Sequence, residues 1–310
     1  MAMRSKVFLI GVMILLALTS SACSGVKIEK ESLITQEDVT SVSITPIDQI
    51  SDLRIVALAN GAAEIIAAMG YEKNLVGRDI ASSVTILARV PIVTSGHQVI
   101  PETIISLNPN VVIIDAATGP ASAIEKLKSA GIPVAVVSQS WNLPDIARKI
   151  QDIGKTIGAA KSAEKLNSAI KVEIIKTKLN LTKKPKILFL YLRGTNAIYL
   201  AGGPGSGADS LITTIGGIDI GADVLPNAFN PLSAESMAKL NPDLILLMIG
   251  GLQSVGGMKG LLELPGIAQS NAGKNGRVIA VDDSLLLSFG PRTPALLAKL
   301  SAAVTSEFTR

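Results

Sequence analysis

The sequence predicts an α/β protein of two Rossmann-like lobes with parallel-type sheets, joined by a single long α-helix. Three observations carry this prediction. Apolar runs of strand length alternate with helical patterns in two separate stretches, as parallel sheets covered on both faces require. Residues 143–182, between those stretches, contain no strand-like run. A repeat then links the stretches: Glu102 to Ile113 and Glu235 to Leu246 both read E-x4-L-N-P-[ND] followed by three apolar residues. Two copies of one helix-into-strand unit explain it.

The order of elements follows from local signals. Arg4 and Lys6 precede the apolar run Val7–Leu18, which is too short to cross about 30 Å of hydrocarbon and suits a secretory signal. Thr19-Ser20-Ser21-Ala22 then leads to Cys23, the only cysteine. This resembles a bacterial lipobox with Ser20 in place of the usual Leu, so 1–22 is read as a lipoprotein signal peptide and Cys23 as the lipidated residue. Residues 23–50 are polar and aperiodic and read as a lipid-anchored tether, reaching roughly 30 Å if flexible.

The first lobe is assigned to 51–142. Arg54–Ala59 reads as a strand, and the helical pattern after it stops at Gly70. Pro91–Val93, Val111–Ile114 and Val134–Val137 are further strand-like runs. Pro101–Leu107 starts with Pro and an acid, both favoured in a first helical turn, and Ala121–Ser129 is helical. In 143–182, Pro144 opens a helix that Gly158 ends, and a backbone helix is expected from about Ser162 to Leu181. The second lobe, 183–310, restarts with KILFLYL from Lys186 and continues through Ile198–Leu200, a helix near Ala208–Ile215, Leu244–Met248 and Val278–Val281. A last helix spans about Thr293 to Phe308.

Composition removes several function classes. One His excludes a multi-His metal site, and one Cys excludes an intramolecular disulfide. Aromatic residues are only 3%, too few for a stacking platform for sugars or single strands, and a net charge of +4, without a basic stripe, argues against nucleic acid. Removal of Arg4 and Lys6 with the signal leaves +2.

His97 follows a predicted strand in a loop at its end, where open α/β sheets bind ligands. Tyr191 and Arg193 are same-face neighbours on one strand. Gly203–Gly207 reads G-x-G-x-G, a spacing off the dinucleotide fingerprint, and is read as a tight turn. Tyr71, after Gly70, reads as loop packing. The carboxylates Asp115, Asp282 and Asp283 keep an exported α/β enzyme open as an alternative, although one His gives them no base.

The lipobox, paired lobes, bridging helix and repeat together resemble the helical-backbone substrate-binding proteins of ABC importers for iron chelates, cobalamin and haem. The resemblance covers about Asp52 to Arg310. Gly96-His97-Gln98-Val99, Tyr191-Leu192-Arg193-Gly194-Thr195, Gly203-Pro204-Gly205-Ser206-Gly207-Ala208-Asp209-Ser210 and Ser288-Phe289-Gly290-Pro291-Arg292-Thr293-Pro294 are similar to the haemin-binding lipoproteins of actinobacteria. The resemblance implies a non-enzymatic receptor carrying haem, Fe(III) protoporphyrin IX, in a ligand cleft between the lobes, on the outer face of the cytoplasmic membrane. It implies His97 and Tyr191 as axial ligands of the haem iron, Arg193 beside the phenolate, and Arg292 on a propionate. Tyr199 is the competing axial ligand. Glu102 and Glu235 would dock on an ABC permease dimer with its ATPase, and upstream haem-donor proteins are further partners. A siderophore or cobalamin receptor of the same superfamily is the alternative.

Overall fold

A computed structural model describes residues 33–50, 52–96, 98–177, 184–194, 198–286 and 288–309. The expected signal peptide at 1–22 and Cys23 therefore lie outside the described residues, as does His97.

The first lobe contains β2 (Ile55–Ala57), α1 (Ala62–Ala68), β3 (Leu75–Arg78), β4 (Thr94–Ser95), β5 (Gln98–Val99), α2 (Pro101–Ser106), β6 (Val111–Ile114), α3 (Ala121–Ser129) and β7 (Val134–Val136); the arm before it carries β1 (Leu33–Ile34). Its main sheet is parallel throughout in the order β3-β2-β6-β7, and β4 and β5 pair separately as an antiparallel ribbon. Pro91–Val93 forms no strand; Ile92 makes one isolated bridge to Arg78.

Two helices follow, α4 (Leu143–Thr156) and α5 (Ala160–Ile175). The Asn142 side chain caps α4 by accepting from the Asp145 amide at 3.0 Å, and Ile146, Ile150 and Ile153 form its buried stripe. A Cβ on Gly154 would lie 2.4 Å from the Ala163 Cβ, so a glycine lets the two helices cross closely. The connection is a helix pair. Its second member starts two residues before the expected Ser162 and ends at Ile175, where Val172 and Ile175 already face solvent.

The second lobe comprises β8 (Lys186–Arg193), β9 (Ile198–Gly202), α6 (Ala208–Ile215), β10 (Ile218–Asp219), α7 (Ile220–Val224), β11 (Phe229–Pro231), α8 (Ala234–Leu240), β12 (Leu244–Met248), α9 (Ile249–Ser254), α10 (Gly257–Glu263), α11 (Asn271–Asn275), β13 (Val278–Val281), α12 (Asp283–Leu286) and α13 (Thr293–Thr309). Its sheet runs β1-β13-β12-β8-β9-β11, with β10 paired to the start of β8. This sheet is mixed rather than purely parallel, because β9 and β11 run antiparallel to their neighbours.

The repeat has a structural cause. Asn108 and Asn241 both take left-handed backbone, at φ 46° and 40°, to end α2 and α8; asparagine tolerates that region better than most residues. Two residues on, the Asn110 side chain accepts the Arg54 amide at 2.7 Å, and Asp243 accepts the Lys186 amide at 3.1 Å. Each lobe thus uses the same polar position to fasten the start of its central strand.

The tether expectation fails for 33–50, which is packed. Strand β1 adds to the edge of the second-lobe sheet through Leu33↔Ala280 and Ile34↔Val281. The Val42 amide donates to Pro291 O at 2.9 Å, and the Ile44 amide donates to Ala68 O in the first lobe at 2.9 Å. Asp48 accepts the Ser162 amide of α5 at 2.8 Å, and Tyr71, buried as loop packing, donates to Asp48 O at 2.8 Å. An arm fastened mainly by partners distant in sequence shows no local period. One apolar cluster runs through both lobes and the helix pair, including Ile55, Ile66, Ile150, Leu166, Phe189 and Leu297.

Candidate functional site

A cavity of about 360 Å³ opens between the lobes at the carboxyl ends of the first-lobe strands. Leu58 and Asn60 follow β2, Asp79 follows β3 and Asp115 follows β6, while Asp283, Ser284 and Ser288 face them from the second lobe. Trp141, 44% exposed, stands at its edge. The volume lies within the ordinary small-ligand range of about 300–1,000 Å³. A larger cavity, about 640 Å³, lies under the 33–50 arm between Gln36 and Arg292. The smaller one is the candidate site, because it sits where parallel sheets present their strand ends; Gly96, next to His97, and Asp283, the ion partner of Arg193, line it, whereas Tyr191 and Arg193 do not.

Alternation along β8 sorts the tyrosines. Tyr191 pairs with Leu200 and Leu192 pairs with Tyr199, so the two tyrosines lie on opposite faces of the sheet. Tyr191 is half-buried, with its ring edge-on to Phe229 at 5.6 Å and 67°. The Arg193 guanidinium carbon lies 4.8 Å from the Tyr191 ring centroid. Its hydrogen bonds go to Leu192 O at 2.8 Å and to Asp283 at 3.1 Å, so it stacks on the ring instead of donating to the hydroxyl. Tyr199 packs against the other core, and its hydroxyl donates to Pro265 O at 3.3 Å. Burial pushes that phenol further up from its ordinary value, away from phenolate. Tyr199, the alternative ligand, thus lies on the opposite face of the sheet from Tyr191 and Arg193.

Arg292 is also not where the resemblance implies. It is buried, and it donates to both carboxylate oxygens of Glu64 on α1, from Nε at 2.8 Å and Nη2 at 2.6 Å. Nη2 also reaches Ser284 O at 3.2 Å. Two of its three guanidinium nitrogens are thus committed to a buried acid, Nη1 is buried without a partner, and Arg292 does not line the interlobe cavity. Glu102 and Glu235 do match expectation in placement: each lies in the first turn of its short helix, exposed, with Lys126 and Lys239 as respective ion partners.

The glycine-rich loop binds its own side chain. Gly205 and Gly207 take φ of 80° and 89°, and their amides donate to Asp209 at 2.8 and 3.0 Å. Those donors are spent, so the tight-turn reading stands over a phosphate cradle. The three candidate acids are each hydrogen-bonded within the fold. Asp115 accepts from the Asn60 and Ala117 amides, Asp282 from Ser284 and Gln36, and Asp283 from Gly250 and Arg193.

Sequence reasoning missed Lys149. It lies on the buried stripe of α4, three residues after Ile146, and its Nζ donates to Asn60 O at the base of the cleft. Burial lowers its pKa, while Asp115, Asp79 and Glu64 pull it back up. A lysine at a stripe position was the available signal.

Two lobes, a helical connection and a cleft at the strand ends define a receptor for a small ligand. The chain belongs to the periplasmic binding protein family, whose model matches residues 55–285. It is 35% identical to the solved periplasmic heme-binding protein RhuT of Roseiflexus sp. RS-1, with a TM-score of 0.77 over 82% of this chain and 98% of that one. The heme-binding protein HmuT is 34% identical, with a TM-score of 0.73 over 86% of this chain and 90% of that one. HmuT has also been solved with single arginine, tyrosine and histidine residues replaced by alanine. An ABC transporter substrate-binding lipoprotein of Bacillus subtilis, YvrC, is 27% identical over 94% of both chains. The protein is thus an extracytoplasmic substrate-binding component that works with an ABC permease, and the enzyme alternative is set aside.

Proposed function

We propose that this protein captures haem in the interlobe cleft and delivers it to the permease dimer of an ABC importer and its ATPase. The observation that carries this reading is the Arg193 guanidinium lying over the Tyr191 ring at the end of β8. A free phenol ionises near pH 10, so a phenolate ligand needs an adjacent cation as well as ferric iron. Arg193 supplies that cation. Likeness to RhuT and HmuT supports haem as the cargo. His97 provides the second axial ligand in this reading, on the strength of its sequence position between Gly96 and Gln98 and of the family resemblance.

Cys23 carries the lipid anchor, after cleavage of 1–22. The lobes are 51–142 and 183–310, with 143–182 between them. Glu102 and Glu235, one per lobe, meet basic residues on the two permease subunits. Titration of the mature chain with ferric haemin, cobalamin and a ferric siderophore in parallel tests the cargo. Saturable binding of haemin alone is expected; saturation by cobalamin or siderophore, with haemin inert, would reassign it.

A further inference from the structure

Three neighbouring strands of the second-lobe sheet, β8, β12 and β13, end side by side, and a small polar cluster forms where they stop. Arg193 is the last residue of β8, Gly250 follows β12 at the start of α9, and Asp283 follows β13 at the start of α12. Asp283 Oδ1 accepts the Gly250 amide at 2.8 Å, and Oδ2 accepts Arg193 Nη2 at 3.1 Å. The other terminal nitrogen of Arg193 is held by Leu192 O at 2.8 Å. Both ends of the guanidinium are therefore fixed, with its face on Tyr191.

The backbone leaves room for this cluster. A Cβ on Gly250 would lie 2.8 Å from Asp283 Oδ2, and one on Gly251 would lie 3.1 Å from Leu192 O and 3.7 Å from Arg193 Nη1. Gly250 thus leaves the space the carboxylate fills, and Gly251 lets the chain pass close to the Leu192 carbonyl that holds Arg193. Yet the pair is partly solvated, with side chains 29% and 42% exposed, and ion pairs of that kind add little to stability. Stability therefore gives a weak account of the arrangement. Position gives a better one.

We infer that Asp283 is a positioning residue of the binding site: anchored on the Gly250 amide, it holds the Arg193 guanidinium against the Tyr191 ring, where the cation favours the phenolate that ligates ferric haem. The role of Tyr191 in it rests on the function proposed above; the restraint on Arg193 does not. Asp283 also lines the cleft, so the restraint lies at the site itself.

The test uses the full mature chain with Asp283→Ala, Asp283→Asn and Arg193→Ala, and with Asp283→Ala/Arg193→Ala as the closing member of a cycle. In ligand-free protein the Arg193 Nε–H resonance, assigned by its loss in Arg193→Ala, should be sharp in wild type and exchange-averaged in Asp283→Ala. With haemin, Asp283→Ala should weaken binding about tenfold in the wild-type background and have no effect where Arg193 is absent, a coupling within the range contacting residues show. It should also move the phenolate-to-iron band as Arg193→Ala does. Asp283→Asn keeps an acceptor for Gly250 and guards against a folding artefact; it should reproduce the band shift. An unchanged Nε–H signal, or an equal loss of affinity in both backgrounds, would overturn the inference. Wild-type protein that binds no haemin would instead overturn the cargo alone, because the resonance needs no ligand.

Discussion

Arg292 and Glu64 join the two lobes through a two-pronged ion pair in which both side chains are almost fully buried, at 4% and 5% exposure. Burial pushes the Glu64 carboxyl up from its ordinary value, and Arg292 pulls it back down. Breaking such a pair from one side leaves an uncompensated buried charge, which typically costs about 3–5 kcal/mol. Glu64→Ala should therefore lower unfolding free energy in urea by that order. Glu64→Leu/Arg292→Met, which removes both charges and keeps volume, should lose much less. Equal losses in the single and double variants would mean the cost is packing, not charge.

The 33–50 arm should matter to the fold as a whole. It buries Ile34 and Val39 in the shared core and adds a strand to the second-lobe sheet. Each such side chain contributes about 1.5–3 kcal/mol when fully buried. Ile34→Ser/Val39→Ser should lower the melting temperature clearly while leaving haemin affinity unchanged, because neither residue lines the interlobe cleft. An unchanged melting temperature would return the arm to the status of a tether.

Asp219 gives the fold a pH signature. Its Oδ1 caps α7 by accepting the Gly221 and Ala222 amides at 2.9 and 3.0 Å, but Oδ2 is buried without a partner. Burial raises this carboxyl from 3.8 to about 6. The native state then holds the proton more tightly than the unfolded chain. The resulting stabilisation is full below about pH 4 and lost as pH rises through about 6. Asp219→Asn keeps the cap and removes the buried charge. It should stabilise the protein at pH 7.5, by up to roughly 3 kcal/mol, and do little at pH 4. A gain of the same size at both values would contradict the assignment.

Much of this architecture is legible in the residues, and the exceptions share a cause. The helices Ala121–Ser129 and Ala208–Ile215 and the strand Val111–Ile114 fall where their local patterns put them. The E-x4-L-N-P repeat marks two equivalent helix-to-strand joints, down to the left-handed asparagine. What the pattern cannot carry is partnership between distant segments. The arm at 33–50 finds its period only in the surfaces it crosses. Arg292 looked free because Glu64 is 228 positions away, and Gly250 signified nothing until Asp283 was beside it. Strand alternation is local, so it suffices to put Tyr191 and Arg193 on one face. Their contact, a stack instead of a hydrogen bond to the hydroxyl, needed the third strand.

Docking can be separated from binding. Glu102 and Glu235 are exposed first-turn acids, with side chains 65% and 78% accessible, and each holds only a surface lysine. Rim charges set encounter and register and are screened by salt. Glu102→Ala/Glu235→Ala should leave folding and haemin affinity intact while impairing uptake in cells that depend on haem iron. Full uptake by the double variant would reduce both acids to helix-start residues stabilised by the dipole.

The central claim, ferric haem ligated by Tyr191 in the interlobe cleft, is tested most directly by the visible and resonance Raman spectra of the haemin complex in wild type, Tyr191→Phe and Tyr199→Phe. Wild type and Tyr199→Phe should share phenolate-to-iron bands that Tyr191→Phe abolishes. Bands that persist in Tyr191→Phe, or that vanish only in Tyr199→Phe, would contradict it.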